Sequence, residues 1–453
     1  SRKLAPVNST NGTTTMYCCG PTVYRDAHVG NLRTFLLSDL VRRVLTAHGV
    51  QVKLIQNITD VGHMSEDIES EDKLLAQAKA ESIDPFAVAR KYEAAFHTDL
   101  ARLNIEQADA YPRASESIEL MLTMIEQLIA KDFAYVGEDG TVYFSAQAFP
   151  SYGAISGNRL DALQPGHRYE YSEDGAKRFH ADWALWKSAG GRKEMIWDSP
   201  WGPGFPGWHI ECSAMSMKLL NQHVDVHVGG IDLRFPHHEN ERAQAVALGK
   251  TFAKHWMHNG FVVDTEGEKM SKSLGNVANL LDLVEHYDPR AYRLVLLQTH
   301  YRGPVRISQD NIDASVNALS GLDSFVARTV SVSAGSAPDG DVMVKFRDFM
   351  DNDLDTPSAV ALLFETVRAA NTALDANDSR AAQLSAAVHE ICQAFGLELK
   401  QAVAVPQDIA TKAAALDAAR SAKDFATADV LRGELMAAGW IVETNKAGTT
   451  VRR

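Results

Sequence analysis

The feature that most constrains this chain is a strand–helix–strand pattern between Thr13 and Ile58. Residues 13–19 read as a short strand built on Thr13-Thr14-Thr15-Met16-Tyr17. A loop holding Cys19, Gly20, Pro21 and His28 follows. Leu36, Leu37, Leu40, Val41, Val44 and Leu45 then recur at helical spacing until His48-Gly49 ends the helix. Val52 to Ile58 is the next strand. This βαβ unit carries its loop at the carboxyl end of the first strand, where open α/β sheets bind ligands.

The rest of the chain extends the pattern. Residues 118–129 form an amphipathic helix through Ile118, Met121, Leu122, Ile125, Leu128 and Ile129. Phe133 to Val136 and Thr141 to Phe144 flank Asp139-Gly140 as a hairpin. Residues 147–205, rich in Gly, Pro, Trp and charge, read as an irregular insertion. Residues 219–264 return to βαβ character, with strands near Val224–Val228 and Phe261–Asp264. The two halves are expected to pair as one Rossmann-like, doubly wound parallel sheet split by the insertion. Beyond about residue 310 the chain is helical and Ala-rich, and residues 400–408 with Pro406 read as a linker. Residues 411–453 read as a helix pair followed by short strands at Trp440-Ile441-Val442 and Thr449-Thr450-Val451. The expected division is 1–110 and 206–265 for the two sheet halves, 111–205 for a connective insertion, 266–310 for a loop and stem-contact region, 311–399 for a helical bundle and 411–453 for a terminal module.

Composition narrows the class. With 453 residues, several domains are expected. The 45% hydrophobic and 23% charged content is that of a soluble globular protein. The sequence has no apolar run of about 18 residues and no charged-then-apolar leader. It begins at Ser1 rather than Met, so a few native residues are expected to precede it. Four cysteines are too few for a disulfide framework and suit a reducing cytoplasm. A net charge of −13 argues by itself against a nucleic-acid partner. The segment from Gln401 onward is near neutral, however, so an RNA touching selected surfaces is compatible.

Two segments carry phosphate chemistry. His28-Val29-Gly30-Asn31 precedes a helix, where backbone N–H groups and the helix dipole favour an anion. Gly30 lets the backbone approach closely, and His28 and Asn31 can both donate to phosphate oxygens. Lys269-Met270-Ser271-Lys272-Ser273 follows a strand and the turn Asp264-Thr265-Glu266-Gly267; its lysines and serines can wrap a polyphosphate. Together the segments resemble the two signatures of class I aminoacyl-tRNA synthetases. The first signature is usually His-Ile-Gly-His, from which Val29 and Asn31 depart; Asn31 still donates but carries no charge. Lys269 to Ser273 match the second throughout. The resemblance implies ATP with Mg2+ as cosubstrate and Lys272 on the departing pyrophosphate.

A third cluster suggests a metal. Cys212 and the run His237-His238-Glu239-Asn240-Glu241 combine cysteine, histidine and carboxylate, a set that suits zinc. His237 and Glu241 would share one helix face. Cys18 or Cys19 could complete four ligands, and residue chemistry leaves both that choice and His237 or His238 open. The chain is similar over nearly its whole length to the cysteinyl-tRNA synthetase family. The likeness runs through Tyr17-Cys18-Cys19-Gly20, Asn57-Ile58-Thr59-Asp60, Trp183 to Lys187, Phe235 to Glu241 and Gly448 to Arg453. That resemblance assigns the zinc to Cys19, Cys212, His237 and Glu241, one ion per chain.

It implies ligation of L-cysteine to tRNA(Cys) through cysteinyl-adenylate, with zinc selecting the substrate thiolate. It further implies that Gly230 and Asp232 place the adenosine, that Thr59, Trp208 and His209 line the amino-acid pocket, and that Arg420, Phe425 and Asp429 read tRNA bases. Thr444 stands where the family often has Asp. A cytoplasmic monomer with no membrane contact is expected, and Cys392 beside Ile391 and Phe395 reads as core. The alternatives are the cysteine ligase of mycothiol biosynthesis, which usually lacks a terminal tRNA-binding module, and a catalytically silent RNA-binding relative.

Overall fold

The computed structural model describes residues 4–7, 12–61, 72–163, 176–263, 287–400, 405–445 and 448–452. The expected strand–helix–strand unit is β1 (Thr13–Cys18), α1 (Val29–Ala47) and β2 (Gln51–Gln56). Next come α2 (Lys73–Glu81), α3 (Pro85–Arg102), α4 (Ile118–Ala130) and strands β3 (Ala134–Val136), β4 (Val142–Phe144), β5 (Trp183–Ser188) and β6 (Gly204–Pro206). Helix α5 (Trp208–Leu219), β7 (Val226–Gly230), α6 (Glu239–Ala247), β8 (His255–Asn259), β9 (Val262–Val263) and β10 (Val305–Arg306) follow.

The main sheet has the order β2-β1-β7-β8, and every pair is parallel. Tyr17 lies level with Ile55 on one side and His227 on the other. The two halves therefore meet at β1 and β7, and strand order reverses there. A ligand crevice opens beyond the carboxyl ends at such a switch point. β1 is buried because its neighbours pair with both edges and helices cover its faces; Met16, Tyr17 and Cys18 are fully enclosed.

The insertion is not irregular throughout, since its described residues supply two strands, which corrects the sequence reading. β5 and β6 add to the β3–β4 hairpin to give a second, antiparallel sheet in the order β3-β4-β5-β6. Trp183 of β5 stacks on Phe144 of β4 at 4.4 Å, and Trp186 is wholly buried. Aromatic burial on both faces hides the alternation that marks a half-exposed strand. β8 also escaped notice, because His255-Trp256-Met257-His258-Asn259 is half polar. As an edge strand it tolerates that composition.

One arginine ties the end of this sheet to α1. Arg33 is buried, and its guanidinium donates to the carbonyls of Gly260 (2.8 Å), Phe261 (2.7 Å), Tyr301 (3.1 Å) and Gly303 (2.7 Å). Gly260 is required here, since a Cβ would come within 2.4 Å of the Gly303 carbonyl oxygen. Thr34 donates to Asn259 at 2.9 Å. The first turns of α1 thus fix the register of β9 against β10.

The chain divides into two compact units. The first comprises Ser1–Ser315, Arg347–Val360 and Ala394–Leu397; the second comprises Val316–Phe346, Ala361–Gln393 and Glu398–Arg453. Helices Gln309–Ser333, Gly340–Asp351, Thr356–Asp375 and Arg380–Ala394 occupy the stretch expected to be helical, and Cys392 is buried in the last of them. In the second unit, helices Gln407–Ser421 and Phe425–Ala437 pair with the hairpin β11 (Ile441–Asn445) and β12 (Gly448–Arg452). Ile409, Leu416, Leu435, Trp440 and Val442 form their shared core. Among the described residues, no helix is long and apolar enough to cross a membrane.

Candidate active site

The loop after β1 leads to α1, whose N-cap is His28. Its Nδ1 accepts from the backbone N–H groups of Gly30 (3.1 Å) and Asn31 (3.4 Å). An accepting Nδ1 puts the ring proton on Nε2. His28 therefore offers one donor, not two, and the Asn31 amide group is a separate donor. No acidic residue occupies the first turn of α1, so nothing there opposes the dipole's attraction for an anion. At the carboxyl end of β7, a Cβ on Gly230 would lie 2.4 Å from Asp232 Oδ1, so a larger residue there would displace the Asp232 carboxylate from its place against this strand. Asp232 is exposed.

Behind the loop, Cys19, Cys212, His237 and Glu241 converge. One ligand atom from each lies within 4.8 Å of all the others, and all four residues are buried. Cys19 follows β1, Cys212 lies in α5, and the turn after β7 delivers His237 and Glu241 one helical turn apart. His237 Nε2 is 3.0 Å from Glu241 Oε1, and Cys19 Sγ is 3.7 Å from the same oxygen. His238 also enters, 3.5 Å from Cys19 Sγ, and with His227 makes a second grouping around Cys19 and Glu241.

The four side chains perturb one another's ionisation. Its hydrogen bond with Cys19 chiefly brings Cys212 down to about 6, against the effect of burial. Burial first, then Cys212, pushes Cys19 well above the ordinary thiol value. Burial works against the Glu241 carboxylate, but His227 and His237 outweigh it and hold the group at about 2. Burial likewise opposes a charged His237, yet Glu241 and Cys212 raise it to about 10.

This donor set fits zinc. Ligands about 2.0–2.3 Å from one ion lie within about 4.6 Å of each other, matching the observed convergence. The ligands also have outer partners, as metal-binding side chains generally do. His209 Nδ1 meets His237 Nδ1 at 2.9 Å, leaving Nε2 toward Glu241. His227 Nε2 bonds Glu241 Oε2 at 2.9 Å.

The remaining residues singled out by sequence fall in three places. Trp208 stacks on His237 with ring centroids 4.3 Å apart, and His209 is buried beside it. Thr59 is buried and donates to Glu211 Oε2 at 3.2 Å. Arg420, Phe425 and Asp429 are all exposed, on the paired helices of the second unit. Lys269, Met270, Ser271, Lys272 and Ser273 lie outside the described residues.

Sequence reasoning missed three participants. Glu211 is fully buried next to Cys212; burial first, then Cys212 and Asp60, push its carboxyl well above the ordinary value. Asn57 receives a 2.9 Å bond from the Gly20 amide and lies 3.6 Å from Cys212 Sγ. His227 sits on β7, where a strand residue gives no metal-spacing signal.

Comparison with known proteins adds an independent line. A model of the "tRNA synthetases class I (C) catalytic domain" matches residues 6–317, and a "DALR domain" model matches residues 345–400. The chain is 41% identical to a cysteine–tRNA ligase of Methylococcus capsulatus, covering 97% of this chain and 95% of that protein. It is 41% identical to the corresponding protein of Thermus thermophilus, covering 96% and 93%. Among solved structures it resembles Mycobacterium tuberculosis methionyl-tRNA synthetase in complex with methionyl-adenylate. That match has a TM-score of 0.61 and 16% identity, over 84% of this chain and 89% of the other. It also resembles a leucyl enzyme of Agrobacterium radiobacter in a ternary complex with tRNA, at a TM-score of 0.64 and 10% identity over 86% and 84%. These two structures bear on the fold alone.

Proposed function

The chain belongs to the cysteine–tRNA ligase family of class I tRNA synthetases, and from that premise we propose that it joins L-cysteine to tRNA(Cys) through cysteinyl-adenylate, with a zinc ion selecting the substrate. The observation that carries the zinc reading is the buried convergence of Cys19, Cys212, His237 and Glu241. When bound, zinc supplies a soft site that a cysteine thiolate fills far better than a serine hydroxyl.

In the first step the cysteine carboxylate attacks the α-phosphate of Mg-ATP, the α–β bridging bond breaks, and pyrophosphate leaves with the electron pair. His28 contributes its Nε2–H and the N-terminus of α1 as donors to phosphate oxygens. The Asn31 side chain adds a neutral donor. Lys269, Ser271 and Lys272 hold the departing pyrophosphate, and Gly230 and Asp232 position the adenosine ribose. Trp208, His209 and Thr59 shape the cysteine pocket. In the second step a terminal ribose hydroxyl of the tRNA attacks the activated carbonyl and AMP leaves. Positioning and charge stabilisation supply the rate, with no covalent enzyme intermediate.

Arg420, Phe425 and Asp429 form the tRNA-reading face of the terminal module. The paired helices and hairpin of residues 407–452 favour transfer to tRNA over transfer to an amino sugar, since they are the part the mycothiol ligases usually lack. The enzyme acts as a cytoplasmic monomer. Cysteine-dependent ATP–pyrophosphate exchange followed by transfer to tRNA(Cys) tests the whole reading. Exchange with transfer only to glucosaminyl-inositol would overturn it in favour of the sugar ligase; no exchange by zinc-loaded protein would remove both.

A further inference from the structure

Tyr292 is a buried residue whose chemistry the site has not used. It lies in the helix Pro289–Leu297. Its hydroxyl donates to the Val29 carbonyl oxygen at 2.5 Å, across 263 residues of sequence. A carbonyl oxygen can only accept, so the direction of the bond is fixed. Burial raises the phenol above its ordinary value, with Arg33 opposing, so it stays protonated and remains a donor. A phenylalanine would fill the same space but leave the Val29 oxygen to its helical partner alone.

Val29 opens α1, and its carbonyl belongs to the same peptide unit as the Gly30 N–H. That N–H is the one that donates to His28 Nδ1 at 3.1 Å. One planar peptide therefore carries a bond at each end, from Tyr292 to its oxygen and from its N–H to His28. Holding the oxygen sets the direction of the N–H, because both lie in one plane. Bonds in such a chain also polarise one another, so donation to the carbonyl makes the N–H a better donor. The His28 ring has little room of its own. A Cβ on Gly30 would come within 2.9 Å of both Nδ1 and Cε1, so the ring lies directly against the Gly30 backbone. A second anchor keeps Tyr292 in place: the next residue, Arg293, is buried and pairs with Asp39 of α1. Its guanidinium also donates to the Leu103 carbonyl at 2.8 Å.

We propose that Tyr292 is a positioning residue for His28, orienting the imidazole through the Val29–Gly30 peptide so that its Nε2–H meets the phosphate. This rests on the reading that His28 donates to ATP. Tyr292 exerts its effect through one peptide unit, not by contact with the substrate.

The test is Tyr292→Phe, alone and combined with His28→Ala, in cysteine-dependent ATP–pyrophosphate exchange. The single variant should lose about fivefold in kcat, the worth of one neutral hydrogen bond. The KM values for ATP and cysteine should hold, because the contact weakened is one made in the transition state. Bound zinc and the thermal midpoint check that the variant is folded. In the His28→Ala background the same substitution should change the rate by less than about twofold, since no imidazole is left to orient. A bond that merely anchors the helix would give the same factor in both backgrounds. A kcat within about twofold of the parent, an equal loss in both backgrounds, or a Tyr292→Phe protein that does not fold would overturn the proposal. Exchange undiminished by His28→Ala would instead refute the phosphate role of His28 beneath it.

Discussion

Replacing Arg33 by Met isolates what a buried cation does when its partners are carbonyls rather than carboxylates. Four bonds at 2.7–3.1 Å join it to Gly260, Phe261, Tyr301 and Gly303. Bonds from a charged donor contribute about 1.5 kcal/mol each at the low end, or roughly 6 kcal/mol gross. Burial works the other way and brings the guanidinium down to about 10, with Tyr292 giving slight relief. A fall of that size corresponds to roughly 3 kcal/mol against the charge. The net loss on substitution is therefore about 3 kcal/mol, confined to the β9–β10 region. Hydrogen exchange of peptides covering residues 259–263 and 301–306 reads it directly. A loss of about 3 kcal/mol in local opening should speed exchange roughly a hundredfold. Arg33→Lys should recover part of this, since an ammonium can reach some of the carbonyls. β9 leads straight to residue 264, so pyrophosphate exchange should lose kcat in Arg33→Met while the KM for cysteine holds. Exchange rates within threefold of the parent would mean that desolvation cancels the bonds and that Arg33 fixes nothing.

Other expectations follow from the same geometry. Cys212→Ser should leave the purified protein with almost no zinc by metal analysis and raise the KM for cysteine, because a hard hydroxyl replaces a thiolate ligand. His28→Ala should slow pyrophosphate exchange about 10²–10³-fold and cost about 1 kcal/mol of stability through the lost cap. His28→Asn should restore the cap, read as the thermal midpoint, without restoring the rate. Asp225 accepts from the Thr15 amide and hydroxyl, His223 and Lys254. Burial opposes its ionisation, but these partners outweigh it and lower its pKa. Its stabilising contribution is thus complete above the ordinary carboxylate range and lost as pH falls below about 4. Asp225→Asn should lower stability at neutral pH and flatten the acid limb of a stability–pH profile.

What the sequence reveals depends on how local the cause is. The β1–α1–β2 unit is legible because each element has one buried face and a clear period. The β3–β4 hairpin is legible because Asp139-Gly140 marks its turn. β5 is not, since Trp183 and Trp186 are buried by contacts from sheet and helix alike, and no period survives. The pocket's cysteines and histidines can be nominated from residue type, and family resemblance ranks them. Spacing cannot reveal that His238 lies as close to Cys19 as the structure places it, 3.5 Å away. Nor can it reveal Asn57 or His227, whose relevance comes from the packing of separate segments against the pocket. The direction of the His28 hydrogen bonds is likewise a matter of backbone geometry at one cap.

The pocket gathers groups from positions as far as 222 residues apart. At about 5–20 residues per second, a ribosome needs roughly 10–45 s to progress from Cys19 to Glu241. Over that interval the nascent chain offers Cys18, Cys19 and eventually Cys212 as bare thiols, with neither imidazole nor carboxylate to finish the set. β1 also waits for β7, its neighbour on one side. If the pocket takes zinc as proposed, capture of the metal would be a late event in biosynthesis, tied to closure of the sheet rather than to emergence of the first cysteine. On that reading the adjacent thiols Cys18 and Cys19 would be most open to oxidation during translation, before the other groups of the pocket exist to enclose them.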